Sequence, residues 1–249
     1  MGRGSGSLTY ANYLSKEVAV YGKRFFTDDE LREMDTPLVD RIETAVNDGR
    51  YEEAKGLSRQ LEQECFGLIY SFEEFVTSLL SYIYEKHGNR DIEEALRYTA
   101  NVVLKPGYEV LAKLEFRQMV QAWAAIFRVQ SGHGMRMEED DEKVTFILDP
   151  CGSGGRMEQG GFCGPPRNLI KIKKAQNITF YRENFPSYCT HCAVFHNLMP
   201  IVWGGAPLPS IELGSGPGNP CKFHIYKDTS AIPAHYYEQV GQSKPMMKN

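Results

Sequence analysis

The sequence predicts an α+β fold: a helical N-terminal layer, residues 8–131, packed on a small antiparallel sheet within a cysteine-rich region, residues 132–240. Three observations carry this. Apolar residues recur at three- and four-residue steps up to about Ser131, then change to strand-like alternation. Glycine and proline become dense after Gly152. Of the six cysteines, Cys151, Cys163, Cys189, Cys192 and Cys221 all lie in the last hundred residues.

The helical layer is read as follows. Met1-Gly2-Arg3-Gly4-Ser5-Gly6-Ser7 resembles an added flexible leader and is set aside. Thr27-Asp28-Asp29-Glu30 fits a capping box, because the Thr27 hydroxyl can accept from the Glu30 amide while Glu30 reaches back. Thr36-Pro37 offers a cap followed by proline at the first helical position, and Leu38, Ile42, Ala45 and Val46 then share a face. A stronger stripe runs through Cys65, Ile69, Phe72, Val76, Leu79, Leu80 and Ile83 and is expected to be buried; His87-Gly88-Asn89 closes it. Asp91-Ile92-Glu93-Glu94 opens another helix, which Pro106-Gly107 is expected to stop. Leu111, Phe116, Met119, Val120, Trp123, Ile126 and Phe127 form the last long stripe, expected to face the sheet, and Ser131-Gly132-His133-Gly134 breaks it.

The acidic run 138–142 reads as a solvated loop or hairpin tip. Residues 144–148 are β-branched and apolar, the mark of a buried strand. Residues 169–172 and 178–181 are weaker strand candidates, and 188–199 is a helix entered after Pro186-Ser187. Residues 211–213 and 221–226 are short strands around Gly214-Ser215-Gly216-Pro217-Gly218-Asn219-Pro220, a spacer that gives a hairpin with a wide loop. Residues 241–249 form a flexible tail.

Composition narrows the function classes. The chain has 249 residues, a net charge of −4 and no basic block, which argues against a general nucleic-acid binder. Mean hydropathy is −0.41, and no apolar run approaches the roughly 20 residues of a membrane span. With no secretory h-region and clustered cysteines, the expected compartment is the reducing cytoplasm.

The densest chemical signal is Cys189-Thr190-His191-Cys192, with Phe195-His196 just after it. Two cysteines two residues apart can chelate one ion. On a helix, Cys192 and His196 are four apart and share a face, which Cys189 joins. Such soft and borderline donors suit Zn²⁺ better than Mg²⁺ or Ca²⁺. A redox dithiol and simple packing of reduced thiols are the alternatives. Cys151 follows the best strand in Asp149-Pro150-Cys151-Gly152-Ser153-Gly154-Gly155-Arg156, and Cys163 likewise precedes a glycine. Cys151, Cys163, Cys189 and Cys192 together would make a closed four-cysteine zinc site or, with less support from spacing, an iron–sulfur cluster. If instead Cys151 joins Cys189 or Cys192 and His196, three protein ligands leave an open position for water. Gly152–Arg156 lacks the residues of a Walker loop, and the 214–218 spacer reads as an ordinary loop. His87 and His133 read as helix-end charges, Cys65 and Cys221 as buried thiols.

The C-terminal strands carry Ile211-Glu212, the glycine-rich spacer, and Gly218-Asn219-Pro220-Cys221-Lys222-Phe223-His224-Ile225. This resembles the closing motif of 4-vinyl-reductase-type domains and of the L-2-amino-thiazoline-4-carboxylate hydrolase-like family, over roughly residues 138–227. The resemblance implies an α+β small-molecule domain, often with a bound metal.

Two function classes follow. One is a zinc-dependent hydrolase or lyase acting on a small polar or heterocyclic molecule. There His191 and His196 move protons, Glu212 is the reserve base, and Ser153, Arg156 and His224 orient the substrate. The other is a non-catalytic ligand-binding domain stapled by a structural zinc held by four cysteines, or by an iron–sulfur site. In both, the partner is a small molecule rather than nucleic acid or membrane, with a homodimer as an open assembly state.

Overall fold

The computed structural model describes residues 25–131, 134–214 and 220–246. The chain divides into two compact units, Met1–Phe72 and Glu73–Asn249. Gly132, His133 and the 215–219 part of the spacer lie outside the described residues, as does most of the region before the first cap.

In the first unit, helix α1 (Asp28–Asp35) starts with the expected capping box: the Glu30 amide donates to Thr27 Oγ1 at 3.2 Å and the Thr27 amide donates to Glu30 Oε2 at 2.7 Å. Thr36 does not cap the next helix. Its hydroxyl donates back to the Arg32 carbonyl at 2.6 Å, so Pro37 itself stands at the N-cap of α2 (Leu38–Asn47). Gly49, at φ 73°, turns the chain out of α2. Leu38, Ile42, Ala45, Ala54 and Leu57 then pack together.

Helix α3 (Tyr51–His87) begins in the first unit and ends in the second. The stripe expected to be buried is only partly so. Cys65 is exposed, as are Phe72 and Leu79, whereas Val76, Leu80, Ile83 and Tyr84 pack inward. The covered face also takes in Glu73 and Thr77, which rotates it away from Leu79. In the second unit, this face meets Ile92 and Leu96 of α4 (Asn89–Thr99) together with Ile172, Ile178, Val194 and Met199.

Pro106 does not stop the helical run. A π-helical stretch, Ala100–Leu104, leads from α4 into α5 (Lys105–Leu111), where Pro106 occupies the first turn. The widened turn absorbs the change of path that the proline imposes inside the run. Helix α6 (Phe116–Ser131) follows.

The main sheet is antiparallel, with strand order β1-β2-β6-β5. Strands β1 (Met135–Glu139) and β2 (Lys143–Leu148) form a hairpin whose tip is the exposed 140–142 segment, so Glu138 and Glu139 belong to a strand. Strand β6 (Cys221–Tyr226) pairs with β2 inside the sheet, and β5 (Ser210–Glu212) closes the far edge. The short helix α7 (Gly154–Gln159) and the two-residue pair β3 (Lys171–Ile172) and β4 (Phe185–Pro186) lie between β2 and β5 in sequence. Residues 178–181 are not a strand. Gln176 donates its amide to Thr179 Oγ1 at 3.0 Å, and Phe180 and Tyr181 take positive φ, which closes a tight turn.

As expected, the last long stripe faces the sheet, except for Ile126, which points to solvent. Phe127 stands 4.7 Å from Phe223 and 5.1 Å from Phe146, centroid to centroid, and Trp123 stacks beside it. The side chains of Val144, Phe146, Leu148, Ile211, Phe223 and Ile225 complete this core. No helix among the described residues is long and apolar enough to cross a membrane. Phe127 is 1 % exposed at the centre of the seam. Phe127→Ala is therefore expected to cost about 3–5 kcal/mol in urea unfolding; a loss below about 1 kcal/mol would show that this seam does not organise the second unit.

Candidate metal centre

The segment after β4 enters as a tight turn at Ser187–Cys189, widens into a π-helical stretch at Cys192–Leu198, and continues as α8 (Met199–Gly204). Proline supplies a reason for the widening. Pro200 has no amide to offer the carbonyl of His196, and that carbonyl accepts instead from the Leu208 amide at 2.8 Å. The helix survives by bonding five residues back rather than four.

The geometric consequence is specific. In a regular α-helix, residues five apart point about 140° away from each other. Bonding from i to i+5 brings them onto one side. His191 thereby joins Cys192, which shares the face of His196 in any case: their ligand atoms all lie within 4.8 Å of one another, the one such group of three among the described residues. Cys192 Sγ is 3.5 Å from His191 Nε2.

The environment suits a metal. His191 Nδ1 donates to the Tyr188 carbonyl at 2.6 Å, which fixes the ring and leaves Nε2 as the free lone pair. Burial pushes the His191 pKa down, and burial together with the neighbouring His191 takes His196 down to about 3. Both imidazoles are thus neutral, the form that ligates. Burial holds the Cys192 thiol well above its ordinary pKa, with the fields of Cys189, Cys151 and Cys221 adding to it. An ion arriving there must displace that proton, so uptake is pH-dependent.

The other cysteines expected as ligands stand outside this close group. Cys151, Cys189 and Cys221 pack against the same apolar core as Cys192. The Cys189 thiol fills the space where a Cβ on Gly154 would sit, which explains the glycine. Cys151 Sγ lies 3.6 Å from Ser153 Oγ, and Cys221 Sγ accepts from the Gly214 amide at 3.3 Å. Cys163 is partly buried, with its pKa raised first by burial.

The sheet separates Glu212 and His224 from the centre. Cys221, Phe223 and Ile225 face the core, and strand alternation turns Lys222, His224 and Tyr226 to the opposite face. There His224 is bonded to Thr145 Oγ1 at 2.9 Å and to Glu212 Oε2 at 3.4 Å, while Lys222 Nζ donates to Glu212 at 2.9 Å. Glu212 is therefore not positioned as a base for His191 and His196. Arg156 is already engaged: it pairs with Glu73 at 3.2 Å and Glu74 at 3.5 Å, and its Nε donates to the Gly152 carbonyl at 2.8 Å.

Glu73 is the residue that sequence reading missed. It is 2 % exposed, and burial lifts its carboxyl from 4.5 to about 7 against the pull of Arg156 and Ser153. Its field also acts on the half-buried Tyr188 phenol, as do those of Cys192, Cys151 and Cys189. The available signal was its spacing to Val76, Thr77 and Leu80, which is helical and inward. A carboxyl whose folded pKa is raised stays protonated after the unfolded chain has released its proton, so stability falls as pH rises between the two values. The chain is expected to lose roughly 3 kcal/mol from this group between pH 4.5 and about 7, and nothing more above that. Across this window the natural chain should lose that amount of stability relative to Glu73→Gln in urea unfolding, since the buried histidines contribute equally to both; a constant difference would mean that Glu73 ionises freely.

No family model matches the chain, and no curated protein or solved structure matches it either.

Proposed function

We propose that the chain is a metal-dependent enzyme, hydrolase- or lyase-like, acting on a small polar or heterocyclic molecule at an ion held by His191, Cys192 and His196. The observation that carries this is the mutual approach of those three ligand atoms to within 4.8 Å. Two imidazoles and one thiolate suit zinc among the common divalent ions. Three protein ligands leave a fourth position, which is the arrangement that catalytic rather than structural zinc uses. When bound, the ion would polarise a substrate oxygen or lower the pKa of a water.

The two histidines then act as ligands rather than as the proton carriers the sequence suggests. Glu212, bonded to Lys222 and His224 behind the sheet, does not serve as their base. The free thiols fit a reducing compartment, the cytoplasm.

A structural role for the metal has one observation in its favour: Cys151, Cys189 and Cys221 join Cys192 around a single apolar core. The sulfur-to-nitrogen ratio of the bound ion, read by X-ray absorption, decides between the two. Two nitrogens and one sulfur support the open site; four sulfurs support the staple. Elemental analysis of purified protein is expected to give one zinc per chain, lost in both Cys192→Ser and His196→Ala. Turnover in a screen of amides, thioethers and heterocycles should vanish with chelation and return with zinc. Full metal content in the Cys192→Ser/His196→Ala double variant would overturn the assignment.

A further inference from the structure

Trp123 is 6 % exposed, and its indole Nε1–H has no hydrogen-bond acceptor among the described residues. A buried donor left unpaired is costly, and phenylalanine would fill much of the same apolar space without that cost. The indole and the His196 imidazole are T-shaped to one another, with centroids 5.4 Å apart and planes at 68°. The remaining rings around His196 are Phe127 at 6.5 Å, Phe223 at 6.0 Å and His191 at 5.9 Å. The phenylalanines carry no polar atom, and the Nδ1 proton of His191 is committed to Tyr188. The indole therefore supplies the one uncommitted donor among the rings that wall His196.

We propose that Trp123, through Nε1–H, holds the oxygen or anionic atom that occupies the fourth position of the ion. The inference rests on the metal assignment above and narrows its substrate. An indole N–H only donates, so the atom it grips is an acceptor: the oxygen of a bound water or hydroxide, or of a substrate carboxylate or amide carbonyl. Amines and other donors are disfavoured at the same position, because they would leave the indole unpaired. The substrate class becomes small carboxylates and amides, recognised by an oxygen held between a cation and a neutral donor.

Cobalt(II) substitution tests this without any assay of turnover, since its visible spectrum reports the fourth ligand. Azide and acetate serve as accepting probes, and imidazole as a ligand that offers the indole no acceptor. Trp123→Phe is expected to keep full cobalt content and unchanged imidazole affinity, while azide and acetate bind about tenfold more weakly. Equal azide affinity in the two proteins would overturn the proposal, as would parallel weakening of azide and imidazole, which marks a packing defect. A natural chain that takes up no cobalt overturns the metal assignment itself, and the proposal with it.

The natural chain gives a second measurement that is independent of the variant's folding. It has two tryptophans, and Trp203 already donates to Asn101 Oδ1 at 3.1 Å. Adding azide to the zinc protein is expected to shift the Trp123 indole N–H resonance downfield and leave that of Trp203 in place. An unmoved Trp123 resonance in azide-bound protein overturns the proposal.

Discussion

The centre depends on a helix that cannot close its ordinary hydrogen bond. Pro200 withdraws the amide that the His196 carbonyl would accept in a regular helix, and Leu208 supplies the replacement from the returning chain. The turn relaxes to a wider pitch over Cys192–Leu198. Only that pitch puts His191 and His196 on the same side, with Cys192 beside them. The same device appears at Ala100–Leu104, just before Pro106, so the fold tolerates proline inside long helical runs by widening a turn. In one instance the widening carries a helix past its proline; in the other it also gathers three donors.

Burial then sets the chemistry of those donors. Apolar rings from α6 and β6 surround His196, and taking the imidazoles out of water removes the option of a charged histidine. The same walls hold the Cys192 thiol in its neutral form. A neutral thiol between two neutral imidazoles has little attraction for a hard cation and a strong one for a borderline ion that can displace the proton. Glu73 and Arg156 provide a contrasting case in the same unit. Their pairing offsets only part of the burial of the carboxylate, and the carboxyl remains easy to protonate.

Much of the fold was legible because its signals are local. Thr27 and Glu30 cap one another across a single turn, and the β-branched apolar run 144–148 marks a strand buried in the sheet. Trp123 and Phe127 announced a helix facing the sheet. The failures have a common physical origin. The apolar arc of α3 is wider than the surface that covers it, so periodicity found the arc and not the covered part, and Cys65 fell outside. The close spacing of Cys189 and Cys192 points to sulfur ligands, whereas the group within 4.8 Å takes in one of the two and adds both histidines. A regular helix would indeed have put His191 out of reach, and only the proline downstream hinted otherwise. By contrast, the placement of Glu212 and His224 was readable in advance. Cys221, Phe223 and Ile225 alternate with Lys222, His224 and Tyr226, and both sets cannot face one site.

That second face of β6 still serves the centre, through register. Thr145 stands opposite His224, and their side chains are bonded at 2.9 Å across β2 and β6. The pairing fixes Phe146 opposite Phe223 and Leu148 opposite Cys221. A slip of one residue would turn Phe223 outward and drive His224 into the rings around His196. The cost of that slip is large on both sides. The core would lose the partner that Phe127 meets at 4.7 Å, and a buried histidine would lose Thr145 and Glu212 together. The polar row on one face of the sheet is thus a constraint on the apolar wall of the other. The geometry of the candidate metal centre depends on the Thr145–His224 pair, behind the sheet, as well as on the residues that would touch an ion.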